Sequence, residues 1–563
     1  MSSNQRPQTN VGAGTLREPD EDKFTVNEGW SFFQQYMPDN SIIDSEPFSQ
    51  NVIGIEGDGP YTCHIPAMPD AFLDPSSLRL EGTAKIVHVK NGVEQATLPV
   101  HTNIPGPDSE TKYKLVCDPH ELTAVEVGVE EKKTSSALIL ENKFPFTVHD
   151  SVAKTSKTEW FDLKVQEYTT NLKNVSKIFP INLMCQAMWK DVEIKLNSRT
   201  VTKNANLEYA NKAYLETLMT YSNDALNTHM QSEMWCPDDP KDVADDDYEK
   251  NYHKTAAAVE KSERYCQNKD FSFTMQLHTE FNSINGFIMD MMPYTFTFVK
   301  NDPKFFLRAN KDDKTCQNTE YYKVKFTSLR LTGNFVKPSP EVMTMYKKHL
   351  ASYQPFLYQT TRTDVITNQA FKGQTEYNWG QMFASDMLPD TVYMAIVDTD
   401  AKNGNWYKDP FKFEHCNVTN VQLRVNNRNM PVEPLQPEWD KDNYMRTYKQ
   451  LYENCSIKTN NIGLSITPEM FKNGSTIFAW DLNHDQCAGA HSNHGDMYGT
   501  VSLHMLFGGA NGLPKNMTVV VWGVYRDYLA IDNERKPNVL TSYGVEKYYE
   551  KLGLPVPKFK QYL

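Results

Sequence analysis

The chain has 563 residues, with 58 Lys and Arg against 71 Asp and Glu, for a formal net charge of −13. Aromatic residues make up 12% and charged residues 23%, which excludes a wholly disordered chain because so many rings can build large cores. The length suits two to four domains at roughly 100–200 residues each, the acidic balance argues against a protein whose main task is gripping nucleic acid, and no run of about 18 apolar residues offers a membrane-spanning helix.

Residues 1–25 are polar, with a short acidic run at Glu18, Asp20, Glu21 and Asp22. They read as a flexible arm without the basic charge that condenses DNA, and their start has no apolar core for a secretory signal. From about residue 50 the pattern turns to strands. Residues 77–90 alternate polar and apolar stretches and end at Asn91-Gly92, a strong hairpin signal. Residues 137–140 are a short apolar run. Residues 189–196 place Val192, Ile194 and Leu196 on one face, with a turn at Asn197-Ser198. Residues 271–278, 294–299 and 324–331 alternate in the manner of half-buried strands.

Residues 337–350 predict a capped helix. Ser339 suits the N-cap, Pro340 the first helical position, and Lys347, Lys348 and His349 the last turn. Beyond it the style repeats. Residues 392–397 are a continuous apolar strand, and 418–425 alternate up to Asn426-Asn427. Residues 476–480, 499–507 and 517–525 complete the set. Two amphipathic helices are predicted, at 208–221 and 442–452, each with apolar residues three and four apart.

Strands dominate and no βαβ rhythm occurs, which selects antiparallel sandwiches or jelly rolls. A jelly roll of about eight strands needs roughly 180–280 residues with long loops, so two fit in the chain and three do not. The fold expected from this pattern is all-β, antiparallel sandwiches or jelly rolls with a few short helices and long loops. The expected divisions are an arm at 1–49, a first jelly roll at 50–336, a linker helix at 337–352, a second jelly roll at 353–535 and a tail at 536–563.

Chemistry-bearing motifs are few. There is no G-x-S-x-G, Walker A, strand-borne G-x-G-x-x-G or H-E-x-x-H. Glycines 54, 57 and 59 read as loop. The nine cysteines (63, 117, 185, 236, 266, 316, 416, 455 and 487) are scattered, odd in number and free of C-x-x-C pairs, so reduced thiols are expected. The five N-x-S/T triplets, at Asn174, Asn417, Asn454, Asn473 and Asn516, read as chance matches in an Asn-rich chain. The acidic run 237–247 lacks the spacing of a Ca²⁺ loop and reads as a solvated surface loop. Asp398 and Asp400, at the end of a buried strand, read as a turn whose carboxylates bond their own backbone. The sharpest constellation is His484, Cys487, His491 and His494, spaced H-x₂-C-x₃-H-x₂-H. Three imidazoles and a thiolate suit tetrahedral Zn²⁺, yet single-Cys, three-His loops are uncommon among structural zinc sites, and a polar hairpin loop is the simpler reading. No catalytic, cofactor-binding or metal residue is assigned, and no cofactor is expected.

Several blocks resemble one family. FPINLMCQAMWKDVEIKLN at 179–197 followed by YANKAYLETLMTY at 209–221 is similar to the hexon-like major capsid proteins of Maverick/Polinton elements and of adintovirus-like and adomavirus-like DNA viruses. The same holds for VKPSP at 336–340, VDTDAKNGN at 397–405 with DPFKFEH at 409–415, LQP at 435–437, NGSTIFAWDL at 473–482 and VVVWGVY at 519–525 with Ile531-Asp532. The resemblance implies a double jelly roll of two tandem eight-stranded antiparallel barrels, and a non-enzymatic major capsid protein that forms pseudo-hexagonal homotrimers tiling an icosahedral double-stranded DNA virus shell. It implies as partners the chain itself, neighbouring trimers, and penton and minor capsid or cement proteins. It implies a virion location, after synthesis in the host cytoplasm and assembly in the nucleus. Neither tight nucleic-acid binding nor a membrane span is expected. The competing readings are a jelly-roll binding module for glycans or receptors and, behind it, a metal-dependent jelly-roll enzyme using 484–494. A vertex penton is expected to be a single jelly roll, too short for this chain.

Overall fold

Sixteen strands fall into two sets of eight. In the first set β1 is Ile42–Asn51, β2 Tyr61–Ile65, β3 Phe72–Lys90, β4 Trp189–Leu196, β5 Arg199–Thr200, β6 Phe271–Gln276, β7 Tyr294–Lys300 and β8 Glu320–Pro338. In the second β9 is Phe356–Ala370, β10 Glu376–Trp379, β11 Thr391–Asp398, β12 Val418–Val425, β13 Arg428–Leu435, β14 Ile477–Asp481, β15 Val501–Phe507 and β16 Met517–Ile531. The structure is a computed structural model. It describes residues 42–555 apart from 58, 108, 110, 118–125, 128–142, 151–154, 170, 203–206, 267–268, 312–319, 384–386, 456–463, 484–497 and 510.

The first set pairs as β1-β8-β3-β6 in one sheet and β5-β4-β7-β2 in the other. The second pairs as β9-β16-β11-β14 and β10-β15-β12-β13. Numbered within its own set, each reads 1-8-3-6 and 2-7-4-5. All these pairings are antiparallel. Two four-stranded sheets in this order, joined by long returns, are a jelly roll, so the chain is a double jelly roll.

Local chemistry explains the strands. In β7, Tyr294, Phe296 and Phe298 are buried while Thr295 and Thr297 face outward. In β15, Val501, Leu503, Met505 and Phe507 point inward. Three tight turns follow the Asn-rich signals: Asn91-Gly92 with φ of 51° and 77°, Asn197-Ser198 with 44° and 66°, and Asn426-Asn427 with 50° and 62°. Positive φ at both central residues is the type I′ geometry whose twist matches a hairpin.

Helices fill the connections. α1 (Tyr209–Thr220) and α2 (Ala256–Tyr265) lie between β5 and β6. α3 (Pro340–Ala351) links the barrels, and its N-cap Ser339 accepts the Val342 amide as expected. α4 (Met445–Asn454) lies between β13 and β14. After β16, a strand β17 (Pro537–Thr541) adds to residues 527–531, and α5 (Ser542–Leu552) follows. Between β3 and β4 a two-stranded ribbon, residues 100–105 with 172–176, leads to a further sheet formed by residues 111–117, 126–127, 143–150 and 155–169. One apolar core runs through both barrels.

Several elements extend past their expected limits. β1 begins at Ile42, within the stretch read as arm, because it pairs with β8 from Pro338 to Arg330. β8 and β16 are much longer than the alternating cores that announced them. β9, α2 and α5 were not anticipated. The run at 137–140 lies outside the described residues.

Candidate functional site

Among the described residues, the most elaborate polar chemistry lies in the seam between the two barrels. α1 enters this seam with Tyr209, Ala210, Asn211, Lys212, Ala213, Tyr214 and Leu215 all buried. Lys212 Nζ sits 2.9 Å from Glu280 Oε1 and 3.9 Å from Glu216 Oε1. Glu216 also meets His278 Nδ1 at 2.9 Å and accepts a hydrogen bond from Thr363 Oγ1 of β9 at 3.0 Å. Burial pushes the Glu216 carboxyl up, but Lys212 and His278 outweigh it and hold the group below its ordinary range. Behind Thr363, Arg362 Nε reaches Asp527 Oδ2 at 2.6 Å, pairs with Asp364, and lies 4.1 Å from the Tyr525 ring centre. Trp522 Nε1 donates to the Asn211 carbonyl at 3.2 Å, and the Tyr214 ring stacks on Phe411 at 4.0 Å. First-barrel helix and second barrel are thus joined by hydrogen-bonded and aromatic contacts, with buried ion pairs on either side of them.

A second cluster centres on Asp238. Its carboxylate accepts from Tyr248 Oη at 2.5 Å, Tyr252 Oη at 3.1 Å and Lys261 Nζ at 3.0 Å. The Arg308 guanidinium is 3.8 Å away, placed between the Tyr248 and Tyr252 rings at 4.3 and 4.0 Å. Burial raises the Asp238 carboxyl, and Lys261 and Arg308 more than reverse this, leaving it lowered. Asp409, from the second barrel, shares the neighbourhood. Burial, then Asp238, raises its carboxyl, and it accepts the Phe411 amide at 2.8 Å. Nearby, Ala309 N donates to the Trp406 carbonyl at 2.5 Å, and Lys402 pairs with Glu208 at 2.5 Å.

The linker side is fastened through Asp290. Its Oδ1 accepts from Tyr346 Oη of α3 at 2.6 Å and from Arg535 Nη2 at 2.9 Å. Asn197 Nδ2 in the β4–β5 turn donates to the Arg535 carbonyl at 3.1 Å. The groups of the first two clusters also line cavities, one beside Glu280, Arg362 and Asp527 and one beside Tyr214, Asp238, Tyr248 and Asp409. The buried ion pairs each stay within one barrel and stiffen it, since parting them strands charge away from water, while Glu216–Thr363, Asn211–Trp522, Tyr214–Phe411, Lys402–Glu208 and Asp290–Arg535 tie one barrel to the other.

The acidic run at 237–247 corrects its sequence reading. Asp239, Asp245, Asp246 and Asp247 are exposed, but the Asp238 side chain is only 8% exposed and anchors the cluster just described. Asp398 behaves as a turn residue: it caps a short helix by accepting the Asp400 amide at 2.9 Å, with Gly404 at φ 92° behind it. Lys408 and Lys515, each 2.9 Å from its Oδ2, hold its carboxyl below the ordinary range against the raising effect of burial. The His484, Cys487, His491 and His494 loop lies outside the described residues. Among the described residues, no group of three or more His, Cys, Asp and Glu is placed to hold a metal ion. Cys63 and Cys236 are buried thiols, each pushed up to about 11 by that burial.

Sequence reasoning missed Lys212, Glu216, Glu280, Arg362 and Asp527. A signal existed for the first two: an i, i+4 charge pair lies on the stretch of α1 that also carries Tyr209, Ala213 and Leu215, too apolar to be a solvated face.

No protein-family model matches the chain. An uncharacterized protein of Caenorhabditis elegans, F54H12.2, is 21% identical over 309 residues, 54% of this chain and 68% of that protein. Among solved structures, a chain of the Sputnik virophage, determined by electron cryomicroscopy, superposes with a TM-score of 0.51 at 12% identity, over 100% of this chain and 98% of its own. The mavirus major capsid protein gives 0.45 at 11% identity, over 99% of this chain and 100% of its own.

Proposed function

We propose that the chain is a major capsid protein, a homotrimeric building block of an icosahedral DNA virus shell. The observation that carries this reading is the doubled strand order, 1-8-3-6 with 2-7-4-5 in each half, locked by a charged and aromatic seam. Three copies of such a molecule place six equivalent wedges around a threefold axis, a pseudo-hexagonal outline that tiles a flat facet, and closed symmetry limits the growth of each block. The family resemblance of the blocks between 179 and 532 points the same way, and the likeness to the Sputnik chain supports the fold this requires.

In this reading the functional surfaces are contacts between copies and between blocks. The first barrel is residues 42–338, the linker 339–355 and the second barrel 356–541. Val432 at 86% exposure, Tyr353 at 70%, Val93 at 63% and Ile53 at 62% are among the apolar side chains available to such contacts, which in obligate oligomers commonly bury about 2,000 Å² or more. Penton and minor capsid or cement proteins are the further partners, the virion is its location after synthesis in the host cytoplasm and assembly in the nucleus, and catalysis is no part of its task. The net charge of −13 suits a shell that leaves DNA compaction to basic proteins. Sedimentation of the purified full chain tests the proposal. A single species at three times the 64.7 kDa chain mass is expected, and a species that stays monomeric across the micromolar range would overturn it.

A further inference from the structure

Away from the seam, two histidines and an asparagine join three separate elements. His101 lies on the ribbon strand 100–105, opposite Val175 in register. His253 lies in the short helical turn after Asn251, and Asn310 follows the strand 307–309. The two imidazole rings stack with centroids 4.4 Å apart and planes 21° from parallel. Asn310, 2% exposed, stands 3.0 Å through its Nδ2 from His101 Nε2 and 2.5 Å from His253 Nδ1.

The amide orientation is fixed by the backbone, because Asn310 Oδ1 accepts the His253 amide at 3.1 Å. Nδ2 must then donate to both rings, so His101 Nε2 and His253 Nδ1 must both carry lone pairs. A proton on either nitrogen faces N–H with N–H. A proton on both rings also stacks two cations. Among the described residues, the ionisable groups on the elements that meet here include Lys173, paired with Glu263 at 2.7 Å, Lys311, paired with Glu249 at 3.1 Å, Lys254 beside Asn251, and Arg308 with Asp238.

We propose that this His101–Asn310–His253 joint is an acid-sensitive latch that releases the ribbon, and the sheet it carries, from the helical insert as pH falls through the histidine range. The folded joint disfavours the protonated rings, so its contribution to stability is present above about pH 6.5, the ordinary histidine value, and is lost below it. Residues 100–105 and 172–176 pair only with each other among the described strands, so once the joint weakens the ribbon is held to the insert by the packing of Val175 and Ile104 on Tyr248, Tyr252, Ala258 and Val259, together with polar contacts such as the Ser176 amide on Ser262 Oγ, at 2.8 Å, and the Lys173–Glu263 pair. The inference stands independently of the assembly reading.

Hydrogen exchange of the full chain at pH 7.5 and 5.5, corrected for intrinsic exchange rates, tests it, with β16 as internal control. Residues 100–105 and 172–176 are expected to exchange about tenfold faster at pH 5.5, one pH unit past the ordinary histidine value, while β16 is unchanged. Asn310→Asp inverts the response, since a carboxylate accepts from protonated rings. The double variant His101→Phe/His253→Phe keeps two stacked rings, titrates neither, and flattens it. A ribbon equally protected at both pH values in the natural chain, or a pH response that survives the double variant, overturns the proposal.

Discussion

The large sheets of the two barrels have the same strand order and opposite surroundings. In β8, Tyr322, Val324, Phe326 and Leu329 are buried while Tyr321, Lys325, Thr327 and Arg330 are exposed, as in a sheet with one wet face. In β16, Val519, Val520, Val521 and Trp522 are all 0% exposed, and β11 is buried throughout. The difference comes from the first barrel. Its β5–β6 connection sends α1 across the seam, where Asn211, Tyr214 and Glu216 meet Trp522, Phe411 and Thr363. On the edge strand β14, Asn454 of α4 donates to the Ala479 carbonyl at 2.7 Å. An insertion in one barrel is thus the roof of the other, and the run of apolar residues in β11 and β16 is the sequence mark of that roof.

The comparison breaks most severely where charge is buried. Asp238→Ala removes the carboxylate that Lys261 and Arg308 share and leaves them only the more distant Asp409, and a loss of about 3–5 kcal/mol is expected in urea denaturation, the range for breaking a buried pair. Next come two glycines that serve the same purpose in the two barrels. A Cβ on Gly82 would sit 2.6 Å from the Phe273 ring opposite it, and one on Gly523 2.6 Å from Phe383. Gly82→Ala and Gly523→Ala are each expected to cost about 1–3 kcal/mol through overpacking. A large difference between them, read from thermal melts, would mean that the two rings yield unequally to the added methyl group.

Adjacent alanine substitutions sharpen the contrast between wet and roofed sheets. Val520→Ala and Val521→Ala should each cost about 2 kcal/mol, from lost methyl burial and the cavity left behind. In β8, Val324→Ala should cost about as much and its neighbour Lys325→Ala under about 0.5 kcal/mol. The smallest effect is a pH slope. His415, stacked on Trp439 at 4.4 Å and accepting the Asn417 amide, has its pKa lowered by burial. A depressed folded pKa contributes stability above the unfolded value near 6.5, lost as pH falls below it. Stability measured from pH 7.5 to 5 should therefore decline less in His415→Phe than in the natural chain.

How much of this was legible depended on whether the cause was local. Alternation placed β4 and β12 to the residue, and Ser339-Pro340 placed the start of α3, because period-two burial and capping are properties of a few neighbouring residues. β9 stayed hidden because Arg362, Thr363 and Asp364 put three polar residues in a row in its middle, and their partners Asp527 and Glu216 come beside them only in the fold. Asp238 read as solvated for the same reason: Lys261 and Arg308 reach it only in the fold. The antiparallel all-β class and the room for two jelly rolls were legible from strand pattern and length, and the double jelly roll itself from the family resemblance, while the seam, whose partners are distant in sequence, was not.

Electron cryomicroscopy of the purified full chain tests most directly whether two barrels joined by this seam make one rigid wedge. The account predicts threefold particles with six lobes around a central axis, the two lobes of each chain at one fixed angle. Particles whose paired lobes vary in angle, or which show no threefold arrangement, would contradict it.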